Sequence, residues 1–292
     1  MKNIRKFTII LLYINILKPN IHHFNAHSFI EDVMKKFHHL FILLTSLSSS
    51  YTFATDNTNA SDFSFSGNTS LASEYRWRGQ TQTKNDTALQ GNILINHTSG
   101  FYVSAFASNV DSGDEAHLEL DPLIGYSKPL TLGIFQPTLD IGMLRYHYVG
   151  KNDLNYNEYF LKMIFNDFLI PSDNFTPSVS YTNKYGGKAT SEATGEDIKN
   201  WYFNLLYTTP FAQSNFGGIT SLGYSKASKA IYGYEANDHF LDWKIGATYT
   251  YKPLSLNAEL AAMGTNLDSS GFTDTNKKGI KTAAVFTLTK SF

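Results

Sequence analysis

The chain predicts an all-β fold: a transmembrane, antiparallel, up-and-down β-barrel of about twelve strands. Three observations carry this. From Leu241 to Tyr251 the residues alternate strictly, with Leu241, Trp243, Ile245, Ala247, Tyr249 and Tyr251 on one face and Asp242, Lys244, Thr248 and Thr250 on the other. The apolar face carries aromatic residues toward both ends with small and aliphatic ones between, which suits a strand crossing a bilayer. Second, charged residues make up only 17% of the chain while aromatics reach 15%, against roughly 25% charged in ordinary soluble domains. Third, an export signal precedes the alternating region, and that region contains no apolar run of the roughly 18 residues a membrane helix needs.

The N-terminal elements come first. From Met34 the sequence runs Met-Lys-Lys-Phe-His-His, then an apolar core from Leu40 to Leu44, then small residues ending in Ala54, the three-part layout of a secretory signal peptide. Residues 34–54 are therefore read as signal and 55–292 as barrel. Residues 1–33 read as an upstream extension with no folded role, because the apolar run from Phe7 to Leu17 is broken by Asn15 and followed by Lys18-Pro19. Zero cysteines remove disulfides, thiol catalysis and cysteine-ligated metals. A net charge of −1 without a basic run leaves no footprint for nucleic acid.

Strands are expected near 63–78, 87–98, 101–110, 116–127, 133–147, 158–165, 174–184, 198–208, 214–226, 241–251, 254–262 and 280–292, spaced at about ten residues and separated by turn residues. An even number closes a barrel without an exposed edge. The last strand ends in Phe292, with Leu288, Phe286 and Ala284 in register, and Lys290 departs from the pattern where an apolar residue is usual. Such a terminal strand is the mark that the barrel-assembly machinery reads, and Lys290 either weakens it or snorkels to the interface. Long polar segments at 183–199, 226–239 and 264–279 read as extracellular loops.

A more specific likeness lies in residues 73–127. Ser73-Glu-Tyr-Arg-Trp-Arg-Gly79, Gln82-Thr83-Lys-Asn-Asp86, Ala88-Leu-Gln-Gly91, Ser99-Gly-Phe-Tyr102 and Ala107-Ser-Asn-Val-Asp111, with Tyr156-Asn157-Glu158-Tyr159 and the terminal strand, resemble the TorF family of proteobacterial outer-membrane porins. Thr87, where that family tends to have proline, and Gln80-Thr81 depart from its pattern. The resemblance implies an outer-membrane barrel with a channel role and no defined substrate; the function expected of the chain is passive diffusion of small polar solutes or ions. The alternative is a closed structural or ligand-binding barrel acting through its extracellular loops.

Alternation also assigns faces. Because a lipid-facing arginine at the bilayer midplane costs roughly 2–4 kcal/mol, Glu74, Arg76, Arg78, His117, Glu119, Asp121, Glu158, Lys162, Asp242, Lys244 and Glu259 are expected to line the lumen or its rims. Trp77, Leu118, Leu120, Trp243, Ile245, Tyr249, Tyr251, Phe286, Leu288 and Phe292 are expected to face lipid, while Arg145 falls on the outer register and needs a bulge or a rim position. Arg76 and Arg78 suit either an anionic solute or structural pairing within the lumen. His117, Glu119 and Asp121 share a face, but alternate residues stand about 7 Å apart and no second histidine is near, so no metal is expected. No cofactor and no catalysis are expected, since no nucleophile elbow, zinc helix, Walker loop or dinucleotide fingerprint occurs. A barrel hydrolase without a linear motif would take His147 or His239 as its base. The expected partners are outer-membrane lipid, the assembly machinery and small polar solutes.

Overall fold

The computed structural model describes residues 61–111, 116–132 and 136–292, so the segments read as signal peptide and upstream extension lie outside the described residues. Its strands are β1 (Phe63–Ala72), β2 (Arg76–Trp77), β3 (Gln80–Thr81), β4 (Ala88–His97), β5 (Phe101–Asn109), β6 (Leu118–Pro129), β7 (Thr138–Tyr146), β8 (Tyr156–Asn166), β9 (Asn174–Thr182), β10 (Asn200–Pro210), β11 (Phe216–Ala227), β12 (His239–Tyr251), β13 (Leu256–Thr265) and β14 (Ala283–Ser291). Helix α1 (Gly187–Thr194) and helix α2 (Asp274–Ile280) sit within two of the connections.

Twelve strands close into one antiparallel barrel in the order β1-β14-β13-β12-β11-β10-β9-β8-β7-β6-β5-β4, and β2 and β3 form a separate two-stranded ribbon. Closure is completed by the C-terminal residue. Gly67 and Phe292 exchange backbone hydrogen bonds of 3.0 Å each way, and a side chain at Gly67 would meet the Phe292 ring at 2.8 Å. Among the described residues the barrel wall then has no strand whose whole edge is unpaired.

The two ends of the barrel differ. Connections at one end are short, such as 98–100 and 252–255, while those at the other are long and include 73–87, 183–199, 228–238 and 266–282. The outer wall is apolar at mid-height: Ile93, Val103, Ile124, Ile141, Leu161, Leu205, Leu222, Ile245 and Leu260 are all exposed. A continuous apolar wall of this kind is a lipid-facing surface, since soluble monomers rarely expose patches beyond a few hundred Å². Aromatic pairs flank it on the outside, with Phe101–Tyr126 and Phe216–Tyr249 toward the short turns and Tyr181–Trp201 toward the long loops, the girdles expected at the two membrane interfaces. Lys290 is on this wall, and its Nζ donates 2.6 Å to the Leu254 carbonyl at the turn end, so the stem covers apolar surface while the charge reaches the interface. Arg145 is exposed close to the loop end, its guanidinium donating to Asn157.

One turn makes a testable contribution to stability. The Asp173 carboxylate accepts from the backbone N–H groups of Phe168, Leu169 and Ile170 and from the Tyr207 hydroxyl. Burial pushes this carboxyl up, but the four hydrogen bonds to its charged form outweigh that and hold it below the usual range. A depressed folded value means stability present above the unfolded pKa of about 4 and lost as pH falls through the folded value. Thermal unfolding in detergent is expected to show an acid-side loss in the native protein that is smaller in Asp173→Asn. Parallel pH profiles for the two proteins would refute this role.

Candidate functional site in the barrel interior

The first loop, residues 73–87, does not stand above the barrel but folds into its mouth. Strand β1 stops at Ala72, where Ser73 ties to Phe286 through two hydrogen bonds, N–H to carbonyl at 2.8 Å and Phe286 N–H to the Ser73 hydroxyl at 3.0 Å. Beyond this point the chain forms the β2–β3 ribbon, in which Trp77 pairs with Gln80 across a two-residue turn. Arg78 and Gly79 have φ of 49° and 76°, the double left-handed geometry of a type I′ turn, which matches the natural twist of a hairpin.

The end of β1 therefore corrects two sequence expectations. The strand was expected to run to residue 78 with Trp77 facing lipid. Instead Trp77 is inside: its indole N–H donates 3.1 Å to the Tyr146 hydroxyl and its ring stacks on Tyr185. Tyr75, which falls in the same register, packs edge-on against Phe106 and lines the lumen. Period two assigns faces only while the backbone stays in the sheet, and here it leaves it. His117 lies in the segment just before β6 and is exposed, at the rim rather than in the lumen.

Each arginine of the ribbon has a distinct task. Arg76 donates to Glu74 at 2.8 Å and to the carbonyls of Gly79, Lys281 and Lys278. The last two lie at the C-terminal end of α2, where orphan carbonyls and the helix dipole favour a cation. Arg76 thus staples the ribbon to the connection between β13 and β14. Arg78 reaches the opposite wall, donating 2.6 Å to Glu158 of β8. Its guanidinium lies between two rings, 4.2 Å from the centroid of Trp77 and 3.8 Å from that of Tyr202. The Tyr146 hydroxyl also donates to Glu158, at 3.4 Å. Both members of the Arg78–Glu158 pair are buried, with side-chain exposures of 4% and 7%.

Beneath the ribbon is a cavity of about 490 Å³, bounded by Glu74, Asp121, Lys244, Glu259 and Thr287 among others. Above it is a smaller one of about 220 Å³, bounded by Tyr148, Tyr156 and Tyr185. Trp77 is a wall of both. Beside the ribbon, Ile198, Ala227, Tyr232 and Phe240 form a buried apolar cluster.

The remaining charged side chains are distributed along the inner face. Lys244 pairs with Glu259 at 2.6 Å on adjacent strands, and Lys162 approaches Asp140 at 3.6 Å, where the Tyr102 hydroxyl also donates. Glu119 is 1% exposed; Asp121 accepts from the His147 backbone N–H, and Asp242 from the Tyr202 hydroxyl. On the outer wall Leu118, Leu120, Ile245, Tyr249, Tyr251 and Phe292 are exposed, whereas Trp243, Phe286 and Leu288 are half-buried among their neighbours. His147 contacts Asn155 and His239 pairs with Asp238. Among the described residues no cluster of three or more histidines and carboxylates is placed to hold a metal ion. Sequence reasoning missed the inward tyrosines, Tyr146, Tyr156, Tyr185 and Tyr202. The signal within reach was Arg78-Gly79, a turn dipeptide inside an alternating run.

In the outer loops, several carboxyls are held below their usual range. For Asp238 the cause is hydrogen bonding from Lys226 and then His239; for Asp197 it is the Ser191 hydroxyl and then Lys184. These groups fasten the rims rather than the lumen.

No curated protein matches this chain. Among solved structures, a NanC porin is 10% identical with a TM-score of 0.49, the alignment covering 78% of this chain and 99% of the porin. OprD of Pseudomonas aeruginosa is 14% identical with a TM-score of 0.37, covering 81% of this chain and 67% of that one. Residues 56–292 match the family described as a bacterial protein of unknown function (Gcw_chp), and the chain belongs to that family.

Proposed function

We propose that this protein is a bacterial outer-membrane channel for passive diffusion of small polar solutes or ions, with the 73–87 ribbon as the element that closes and opens its mouth. The observation that carries this reading is the way the mouth is filled. The barrel encloses a cavity lined by both charged and apolar side chains, and what obstructs it is a loop fixed to the wall by the buried Arg78–Glu158 pair, ring contacts and backbone hydrogen bonds. Detachment costs the two Ser73–Phe286 bonds but leaves the ladder among the twelve wall strands intact, so the barrel survives opening. The resemblance to the TorF porins over residues 73–127 supports the same function. On this reading the protein is exported by its signal peptide, recognised by the assembly machinery through Phe292, and exposes its long loops outside the cell.

A second reading, a closed barrel that works through its loops, draws on the buried cluster of Ile198, Ala227, Tyr232 and Phe240 at the mouth. Planar-bilayer recording of the purified protein separates the two. Discrete current steps that scale with salt concentration are expected for the channel. Silence from a sample shown to be folded by heat-dependent migration on a denaturing gel would exclude the channel and leave the closed barrel.

A further inference from the structure

Among the described residues, four bases inside the barrel are each paired with one acid: Arg76 with Glu74, Arg78 with Glu158, Lys162 with Asp140 and Lys244 with Glu259. Three inner acids, Glu119, Asp121 and Asp242, have no basic side chain within ion-pair distance among the described residues. All three are more than nine-tenths buried, and Glu119 Oε2 and Asp242 Oδ2 make no hydrogen bond. Their places are also alike. Glu119 and Asp121 open β6 and Asp242 lies near the start of β12, so all three stand at the loop end of the wall, at the level where the ribbon crosses.

We infer that the mouth of the barrel carries an acidic ring that selects cations over anions. The inference rests on the channel reading above and adds to it the class of permeant. Carboxylate rings at a constriction favour cations because the low-dielectric wall focuses their field on the axis. Opening of the mouth admits water to these carboxyls and so removes the burial that opposes their charged form. Movement of the ribbon strengthens the effect, since it withdraws Arg78 and adds Glu158 to the uncompensated acids. The paired charges lower in the barrel, Lys244–Glu259 and Lys162–Asp140, cancel and contribute little.

The test is the reversal potential of the purified protein in a planar bilayer under a potassium chloride gradient at low ionic strength, where screening is weakest. The expected preference for potassium over chloride is about fivefold or more, the enrichment produced by one unscreened unit charge at about 4 Å in water. Asp121→Asn with Asp242→Asn is expected to bring the ratio toward unity, and Asp242→Asn alone, a near-isosteric change, to lower it part of the way. A native ratio at or below one, or a preference that the single and double variants leave unchanged, overturns the inference while the channel reading stands. A folded protein that passes no current overturns both.

Discussion

Replacing Arg78 by alanine is expected to raise the conductance of the proposed channel without unfolding the barrel. The Arg78–Glu158 pair is buried at both ends, and breaking a buried pair by removing one partner costs about 3–5 kcal/mol because the other charge is left uncompensated. Contacts to two rings at about 4 Å add roughly 0.5–2 kcal/mol each. Arg78 also holds a left-handed backbone, φ 49°, at a cost of roughly 1–2 kcal/mol for an L-residue. The ribbon tolerates that strain because the guanidinium is anchored, so its loss removes the compensation and leaves the strain. Glu158→Gln is expected to act in the same direction, and the double variant by much less than the sum of the two, as residues in one contact do. Current traces indistinguishable from the native protein in Arg78→Ala would show that the pair does not hold the mouth closed.

Gly79→Ala is the second large effect, and its cause is backbone rather than charge. A Cβ at this position would sit 2.5 Å from the Gly264 carbonyl oxygen and 2.9 Å from its carbon. Those atoms belong to a wall strand that cannot yield without breaking its ladder. The φ of 76° adds roughly 1–2 kcal/mol against a residue with a side chain. The ribbon therefore cannot seat against β13. An external protease is expected to cut within residues 76–84 of the variant in intact membranes, and conductance is expected to rise. Two controls separate the causes. Gly150→Ala shares the positive φ, 85°, with nothing within 4 Å, and Gly91→Ala meets its nearest atom at 3.8 Å; neither is expected to expose the ribbon. If Gly79→Ala resists protease as well as Gly91→Ala does, the close approach to Gly264 is not what seats the loop.

What alternation revealed and what it missed follow from the same physics. In a barrel wall every residue is bound to the two-residue period by the ladder on both sides, so the strand from Leu241 to Tyr251 displays its faces in the order of its letters. The twelve closing strands and the long loops at one end were legible for that reason. Residues 73–87 offered the same letters, Glu-Tyr-Arg-Trp-Arg, with the same period, and the period was misleading there: apart from the turn dipeptide Arg78-Gly79, nothing local distinguishes a strand that continues up the wall from one that turns inward after Ala72. The difference lies in Ser73 bonding to Phe286, in Gly79 against Gly264 and in Arg78 reaching Glu158, all contacts between residues far apart in the chain. Which acids remain unpaired was hidden for the same reason, because a charge census counts signs and pairing depends on register across neighbouring strands. By itself the sequence determined a membrane-type barrel, its wall and its polar interior, since local periodicity and composition suffice for those. Only the tertiary structure decided that a loop closes the mouth and that three acids stand without a base, since both depend on distances that the chain acquires when the barrel closes.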